Sequence, residues 1–250
     1  MLDRRANKYL ALRVFQFPFI HDPVLLAKQF ADIVKENNLL SLRYHTVNVS
    51  FVVPRSTLIP TVIYDEAKNS TYLDFTHTKR GEEVVLSDHI KQIDTRNIFS
   101  VPANLHSWTI GQFPTAAIHH YSTSLIGGLL LQLKNEQEKR MVVHVQSSHF
   151  EIIVSEKGKL IFYNTFNHQT TEDFIYYILF VCEQLGLNPA SVIVTLVGEI
   201  EKSSALHAIL RKYVKNVQFG TRNESFGYSP TFDEIPPHFF YGLLSQNLAG

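Results

Sequence analysis

The stretch from Met141 to Phe166 constrains the fold more than any other. Three runs of alternating β-branched and aromatic residues, Met141 to Ser147, His149 to Ser155 and Lys159 to Phe166, are separated only by a Ser-Ser turn and by Glu156-Lys157-Gly158. Linkers this short join antiparallel neighbours, so the spacing predicts a three-stranded meander. A helix must follow. Thr170-Thr171-Glu172-Asp173 has cap character, and Phe174, Ile175, Ile178, Leu179, Val181 and Cys182 repeat at helical spacing up to Gly186. Ser191 to Val197 reads as a buried strand, Ser203 to Val214 as an amphipathic helix and Val217 to Phe219 as a short strand. A meander continued by alternating helices and strands specifies an α/β fold with a mixed sheet.

The first half carries a weaker version of this pattern. Tyr9 to Phe17 alternates and reads as a strand. Asp22-Pro23 opens a helix that runs to Asn37-Asn38, and His45 to Val53 reads as a second strand, parallel to the first across this βαβ unit. Pro60 opens a short helix over Thr61 to Lys68. Glu83 to Val101 gives two extended stretches, Pro102 to Phe113 a helix, Ala116 to Tyr121 a short strand and Ser124 to Leu133 a helix. The doubled glycine Gly127-Gly128 inside that last helix points to close packing. The charged run Lys134 to Arg140 is read as a lobe boundary, with residues 1–139 a first α/β lobe truncated at its N-terminus and residues 140–250 a second. A terminal helix over Pro237 to Gln246 is expected to bridge back. Leu10 to Val53 and Leu160 to Val197 share a strand-helix-strand order, which predicts an internal repeat.

Composition narrows the function classes. With 23 basic and 23 acidic side chains the formal net charge is zero, which disfavours nucleic-acid or membrane-surface binding driven by bulk charge. Hydrophobic residues make up 45% and charged ones 18%, and no 18-residue apolar run occurs, which excludes extensive disorder and predicts no membrane insertion. The single cysteine, Cys182, lies in a helical apolar pattern and no signal peptide precedes it, so a cytoplasmic protein without disulfides is expected. Histidines suggest a metal only superficially. His119 and His120 are strand neighbours pointing to opposite faces, and His144 and His149 merely flank the Ser-Ser turn, so no metal site is expected. Ser147, His149 and Glu151 lack the strand-turn-helix elbow of a serine nucleophile, and no catalytic residue is assigned. Tyr176-Tyr177 and Phe239-Phe240-Tyr241 read as core, or as docking surface wherever they are exposed.

The stretch HVQSSHFEIIVSEKGKLIFYNTFNHQTTEDFIYYILFVCEQLGLNP (His144 to Pro189) resembles an uncharacterised bacterial family with the two-lobed actin-like ATPase, or ribonuclease-H-like, fold. ENNLLSLRYHTVNVSFVVPRSTLIPTVIYDEA, VPANLHSWTIGQFPTAAIHHYSTSLI and IPPHFFYGLL fit the same family, which is distantly similar to the actin-like component of type IV pilus assembly. The resemblance implies a fold and no established activity. It also implies where nucleotide would bind: two hairpins, each needing an acid for hydrated Mg²⁺ and a glycine for close approach to phosphates, and a Gly-Gly loop after a strand. In this chain His144 stands at the acid position and Gln146 at the glycine position, ahead of Ser147 and Ser148. Gly198 is kept, but Glu199 replaces the second glycine, and Met1 to Lys8 is read as too short for the first hairpin. The expectation is a nucleotide-independent scaffold or protein-binding module with an unidentified protein partner, neither ATP nor Mg²⁺ as cofactor, and no ATP hydrolysis. The alternative is a divergent ATPase or sugar-kinase-like enzyme that binds nucleotide in the interlobe cleft through Ser147, Ser148 and the Gly198 loop. Oligomeric state is not set by the sequence.

Overall fold

A computed structural model describes residues 1–16, 22–79 and 81–248. Along the chain lie β1 (Leu2–Asp3), β2 (Lys8–Tyr9), α1 (Pro23–Glu36), β3 (Asn48–Phe51), β4 (Ser56–Pro60), α2 (Asn69–Thr76), β5 (Glu83–Ile90), β6 (Thr95–Pro102), α3 (Ala103–Gln112), β7 (Ala117–His120) and α4 (Tyr121–Gln132). They continue as β8 (Arg140–Val145), β9 (His149–Glu156), β10 (Lys159–Asn167), α5 (Thr171–Gln184), β11 (Ile193–Gly198), α6 (Ala205–Tyr213), β12 (Asn216–Phe219), β13 (Gly227–Tyr228) and α7 (Tyr241–Leu244). The chain divides into two compact units, Met1–Arg13 with Ser124–Gly250, and Val14–Thr123. The charged run Lys134 to Arg140 lies inside the first of these, between α4 and the start of β8.

That unit is built on a five-stranded sheet in the order β10-β9-β8-β11-β12, with β8, β9 and β10 antiparallel and β11 parallel to both β8 and β12. The meander, the helix and the buried strand stand where the alternation and caps place them. Met141, Val143, Val145, Phe150, Ile152 and Val154 line one face and pack with Phe174, Ile175, Ile178 and Val181 of α5. Val142 and Ile153, between them in sequence, are buried too, which is why β8 and β9 read as nearly continuous apolar runs. α5 begins with a capping box: the Asp173 N–H donates to Thr170 Oγ1 at 3.1 Å, and the Thr170 N–H to Asp173 Oδ2 at 3.0 Å. Gly128 of α4 explains the doubled glycine, because a Cβ there would stand 2.6 Å from the Ser245 Cβ.

The N-terminus departs from the sequence reading. Met1 to Lys8, judged too short for a hairpin, forms a minimal one, with Leu2 opposite Tyr9 and Asp3 opposite Lys8, turning through Asn7 at φ +48°. β13 adds in parallel to β2. The strand expected over Tyr9 to Phe17 stops at Tyr9; Leu10 to Gln16 pair with no strand, and Phe17 lies outside the described residues. Aromatic and β-branched content favours a strand only where a ladder partner exists, and β13 ends at Tyr228. Among the described residues the first strand of the βαβ unit is therefore missing, and with it the first strand of the repeat expected from the later strand-helix-strand order. Tyr9, Phe226 and Phe232 with Leu244 form a small second core, and the Tyr9 hydroxyl donates to the Leu244 carbonyl at 2.6 Å. The terminal helix is shorter than Pro237 to Gln246, because Phe240 takes a left-handed backbone (φ +56°) immediately before α7.

The other unit pairs β3 in parallel with β7 and sets an antiparallel sheet, β4-β6-β5, beside its own helices. β3 thus pairs with a strand far along the chain. Phe99, Val101 and Leu105 are its core, covered by Leu26, Phe30, Phe51 and Ile118 among others. The short helix expected over Thr61 to Lys68 is two single 3₁₀ turns, split where the Asp65 side chain accepts the Ala67 N–H, and α2 follows them. Arg55, 7% exposed, forms ion pairs with Asp74 and Glu83.

Candidate functional site

The β8–β9 hairpin carries the densest chemistry. Its loop is three residues, Gln146 to Ser148, and the Gln146 N–H closes it onto the His149 carbonyl at 2.9 Å. This register sets His144 opposite Glu151, while His149 and Glu151, two apart on one strand, share a face. Glu151 is fully buried. Its Oε2 lies 2.7 Å from His144 Nδ1 and its Oε1 3.1 Å from His149 Nε2. The carboxyl is held between two imidazoles. Ser148, in the exposed turn, contacts His149 Nδ1 at 3.2 Å; Ser147, the hydroxyl weighed in the sequence reading, has no such contact with His149 among those described.

Burial sets the protonation of this cluster. It pushes Glu151 up to about 8 and His144 down to about 3, and the His149 charge lowers His144 further. Desolvation lowers His149 as well, followed by the charge of His168. All three shifts favour the neutral forms, so the cluster of Glu151, His144 and His149 carries no net charge. Among the described residues no group of three metal-ligating side chains is arranged to hold an ion.

The folded Glu151 keeps its proton up to about 8, whereas the unfolded carboxyl loses it near 4.5, so stability falls as pH rises toward the folded value. The histidines act on the acid side, since their folded values are lowered. Raising the pH from 6.5 to 8 is expected to cost about 2 kcal/mol at most from Glu151, and Glu151→Gln is expected to flatten that limb. Urea midpoints at the two pH values check it; an equal loss in both proteins refutes the assignment.

The end of β11 closes over this hairpin. Gly198 has φ +89°, and a Cβ on it would lie 2.2 Å from the Val145 carbonyl oxygen and 3.0 Å from the His144 ring. The Glu199 N–H donates to that carbonyl at 2.7 Å, and the Gly198 N–H donates to the His238 carbonyl at 2.8 Å. His238, 7% exposed, places Nε2 2.7 Å from the Ile200 carbonyl and packs tilted against Phe219 with centroids 4.5 Å apart. The structure thus brings His144, Gln146, Gly198 and Glu199 to one end of the sheet, with Ser147, Ser148 and the Glu199 side chain exposed. The sequence reading names Glu151 only as the acid of a set it rejects, although a three-residue loop dictates its pairing with His144, and it does not single out His238. His238 gave no signal, since Gly198 and Ile200, which it meets, lie about forty residues away.

The other unit has a polar cluster of its own. Asp88 accepts the His120 N–H and the Thr123 hydroxyl, both at 2.8 Å, and its other oxygen lies 2.9 Å from His119 Nδ1, which raises His119. The carboxylate sits at the N-terminus of α4, where the helix dipole favours it. His119 and His120 serve this cap.

The mixed sheet of a meander followed by parallel strands, with its flanking helices, defines an actin-like ATPase fold. The chain belongs to the family described as "Protein of unknown function (DUF3822)", whose model matches residues 1–217. A protein with actin-like ATPase fold and unknown function from Bacteroides thetaiotaomicron VPI-5482 is similar at 27% identity and a TM-score of 0.72, over 78% of this chain and 76% of that one. The PilM–PilN type IV pilus biogenesis complex matches at 12% identity and a TM-score of 0.58, over 93% of this chain and 87% of that one, and shows the fold alone. No curated protein matches the chain. No helix among the described residues is long and apolar enough to cross a membrane.

Proposed function

We propose that this chain is a nucleotide-independent scaffold that acts by binding another protein, with phosphate chemistry lost from the hairpin around His144 and from the Gly198 loop. One observation carries the reading. The N–H groups of Gln146, Gly198 and Glu199, which would have to turn toward phosphate oxygens, are donated to the chain's own His149, His238 and Val145 carbonyls. Engaged donors cannot cradle an anion without first giving up these bonds. The hairpin also lacks a carboxylate for hydrated Mg²⁺: His144 takes the acid position and faces a buried, neutral Glu151, and Mg²⁺ prefers oxygen ligands. The exposed Glu199 side chain adds repulsion toward polyphosphate.

The actin-like neighbour PilM occurs in a complex with PilN, which supports a protein as the class of partner. A cytoplasmic location belongs to the same reading. The test is thermal unfolding with and without Mg-ATP and Mg-ADP. Ligand at a hundred times its dissociation constant would stabilise the native state by about 2.7 kcal/mol; no shift is expected. A clear shift together with Mg²⁺-dependent turnover lost in Ser148→Ala would replace the scaffold with the divergent ATPase.

A further inference from the structure

We infer that Ser148 is a covalent acceptor for acyl groups from activated esters, with His149 as the base that takes its proton and Glu151 as the residue that positions that base. The contacts run in one line from solvent into the sheet. Ser148 Oγ, in the exposed turn, lies 3.2 Å from His149 Nδ1. His149 Nε2 lies 3.1 Å from Oε1 of the fully buried Glu151, and Glu151 Oε2 lies 2.7 Å from His144 Nδ1. A hydroxyl within hydrogen-bond reach of an imidazole, itself oriented by a third group, is the arrangement that activates a nucleophile. Such a set is recognised by geometry and roles, not by its order along the chain. The hydroxyl that the fold selects is Ser148 rather than Ser147.

The line has a direction. Its shortest contact, 2.7 Å at His144, has the length of an O–H donor, and the 3.1 Å contact at His149 has that of an N–H donor. The neutral Glu151 therefore donates from Oε2 to His144 and accepts the His149 Nε2–H at Oε1. This leaves the His149 Nδ1 lone pair for the Ser148 hydroxyl. His144, His149 and Glu151 all stand on the paired strands β8 and β9, where side chains are held more precisely than on a loop. The hydroxyl itself is in the turn, where an ester reaches it.

In the reaction Ser148 Oγ bonds to the acyl carbon as its proton passes to His149 Nδ1. The ester C–O bond then breaks, its electron pair leaves with the alcohol oxygen, and the proton on His149 passes to that oxygen or to water. The groups whose charge reaches His149 are Glu151 and His144 across the ladder and His168 just past β10, which in turn acts on Asp173 of α5. Burial lowers His149 ahead of the His168 charge, so the base stands unprotonated at neutral pH. This acyl transfer uses neither phosphate nor Mg²⁺ and does not rest on the scaffold reading.

Treating the full chain with p-nitrophenyl acetate, without nucleotide or Mg²⁺, and mapping the acetylated peptides by mass tests it. One acetyl group is expected on Ser148, ahead of Ser147, and none there in Ser148→Ala. His149→Gln is expected to slow the labelling by about a hundredfold or more, the usual contribution of a general base. Glu151→Ala is expected to cost about as much by misplacing that base. Glu151→Gln is expected to restore the rate at pH 7.5, because its amide keeps a carbonyl acceptor for His149 and an N–H donor for His144. From pH 7.5 to 5.5 an imidazole titrating at 6.5 would lose about tenfold in rate; with His149 lowered, a smaller loss is expected. Above about 8, where Glu151 loses its proton, the unsubstituted chain is expected to gain more than Glu151→Gln. Ser148 labelled no faster than Ser147 or than in the urea-unfolded chain, an acetyl group that stays on His149, or His149→Gln labelling at the full rate would each overturn the inference. If Glu151→Ala does not fold, the pH profile of Glu151→Gln decides: a gain above 8 equal to that of the unsubstituted chain removes Glu151 from its role.

Discussion

Replacing Gly198 with alanine is expected to destabilise the protein by about 4 kcal/mol, from three effects that compound. An alanine at φ +89° bears about 1–2 kcal/mol of left-handed strain. Its Cβ would stand 2.2 Å from the Val145 carbonyl oxygen, a backbone atom that cannot swing aside, so the end of β11 must part from β8. That movement breaks the Glu199 and Gly198 N–H bonds to Val145 and His238, each worth about 1 kcal/mol. At this chain length the sum corresponds to a fall in melting temperature of roughly 10 °C. Gly186→Ala is the internal control: Gly186 also has positive φ (+62°), but a Cβ there meets nothing within 4 Å, so only the strain of about 1–2 kcal/mol remains. Equal losses in the two variants would show that the closure over the hairpin is not tightly packed.

Deleting residues 236–250 is expected to be still more damaging. The segment supplies Tyr241 and Leu244, 4% and 8% exposed, each worth about 1.5–3 kcal/mol when buried. It also supplies the Leu244 carbonyl that accepts the Tyr9 hydroxyl, the His238 carbonyl that accepts the Gly198 N–H, and the Ser245 side chain against Gly128. Together these losses exceed about 5 kcal/mol, a large share of the 5–15 kcal/mol that holds a typical protein folded. Calorimetry should show the cooperative transition lost or moved down by more than roughly 15 °C. His238→Ala separates the roles: the backbone bond to Gly198 survives, while the contacts to Ile200 and Phe219 go, so about 1–2 kcal/mol is expected. An unchanged transition in the truncated protein would make the segment a dispensable tail.

Both variants strike the same place, where the chain's own backbone closes the end of the sheet. That closure bears on the proposed function, because a nucleotide entering there would compete with bonds that also hold the fold together. Selection for a closed sheet end and selection for phosphate binding pull on the same N–H groups.

The sequence by itself determined the second half of the molecule. The meander, α5 with its Thr170–Asp173 box, β11 and α6 all rest on local signals: turn length, cap chemistry and apolar period, each complete within about ten residues. It also determined that Gly198 ends a strand and that His144 and Gln146 occupy the hairpin. Tertiary structure alone decided which strands exist at the N-terminus. Leu10 to Gln16 has the composition of a strand but no ladder beyond Tyr9, while the unpromising Leu2–Asp3 pairs because Tyr9 is anchored by β13 and Leu244. Strand formation depends on a partner, and a partner more than two hundred residues away leaves no trace in a local pattern. The same holds for β3, which finds β7 rather than a neighbour in sequence. For the site, hairpin register made the His144–Glu151 pair legible in principle, but its burial and therefore its neutral protonation came from packing on both faces of the sheet. The His238 carbonyl on Gly198 was decided wholly by the path of the C-terminal segment, because a backbone acceptor is common to every residue type and the sequence cannot mark which one a distant N–H will meet.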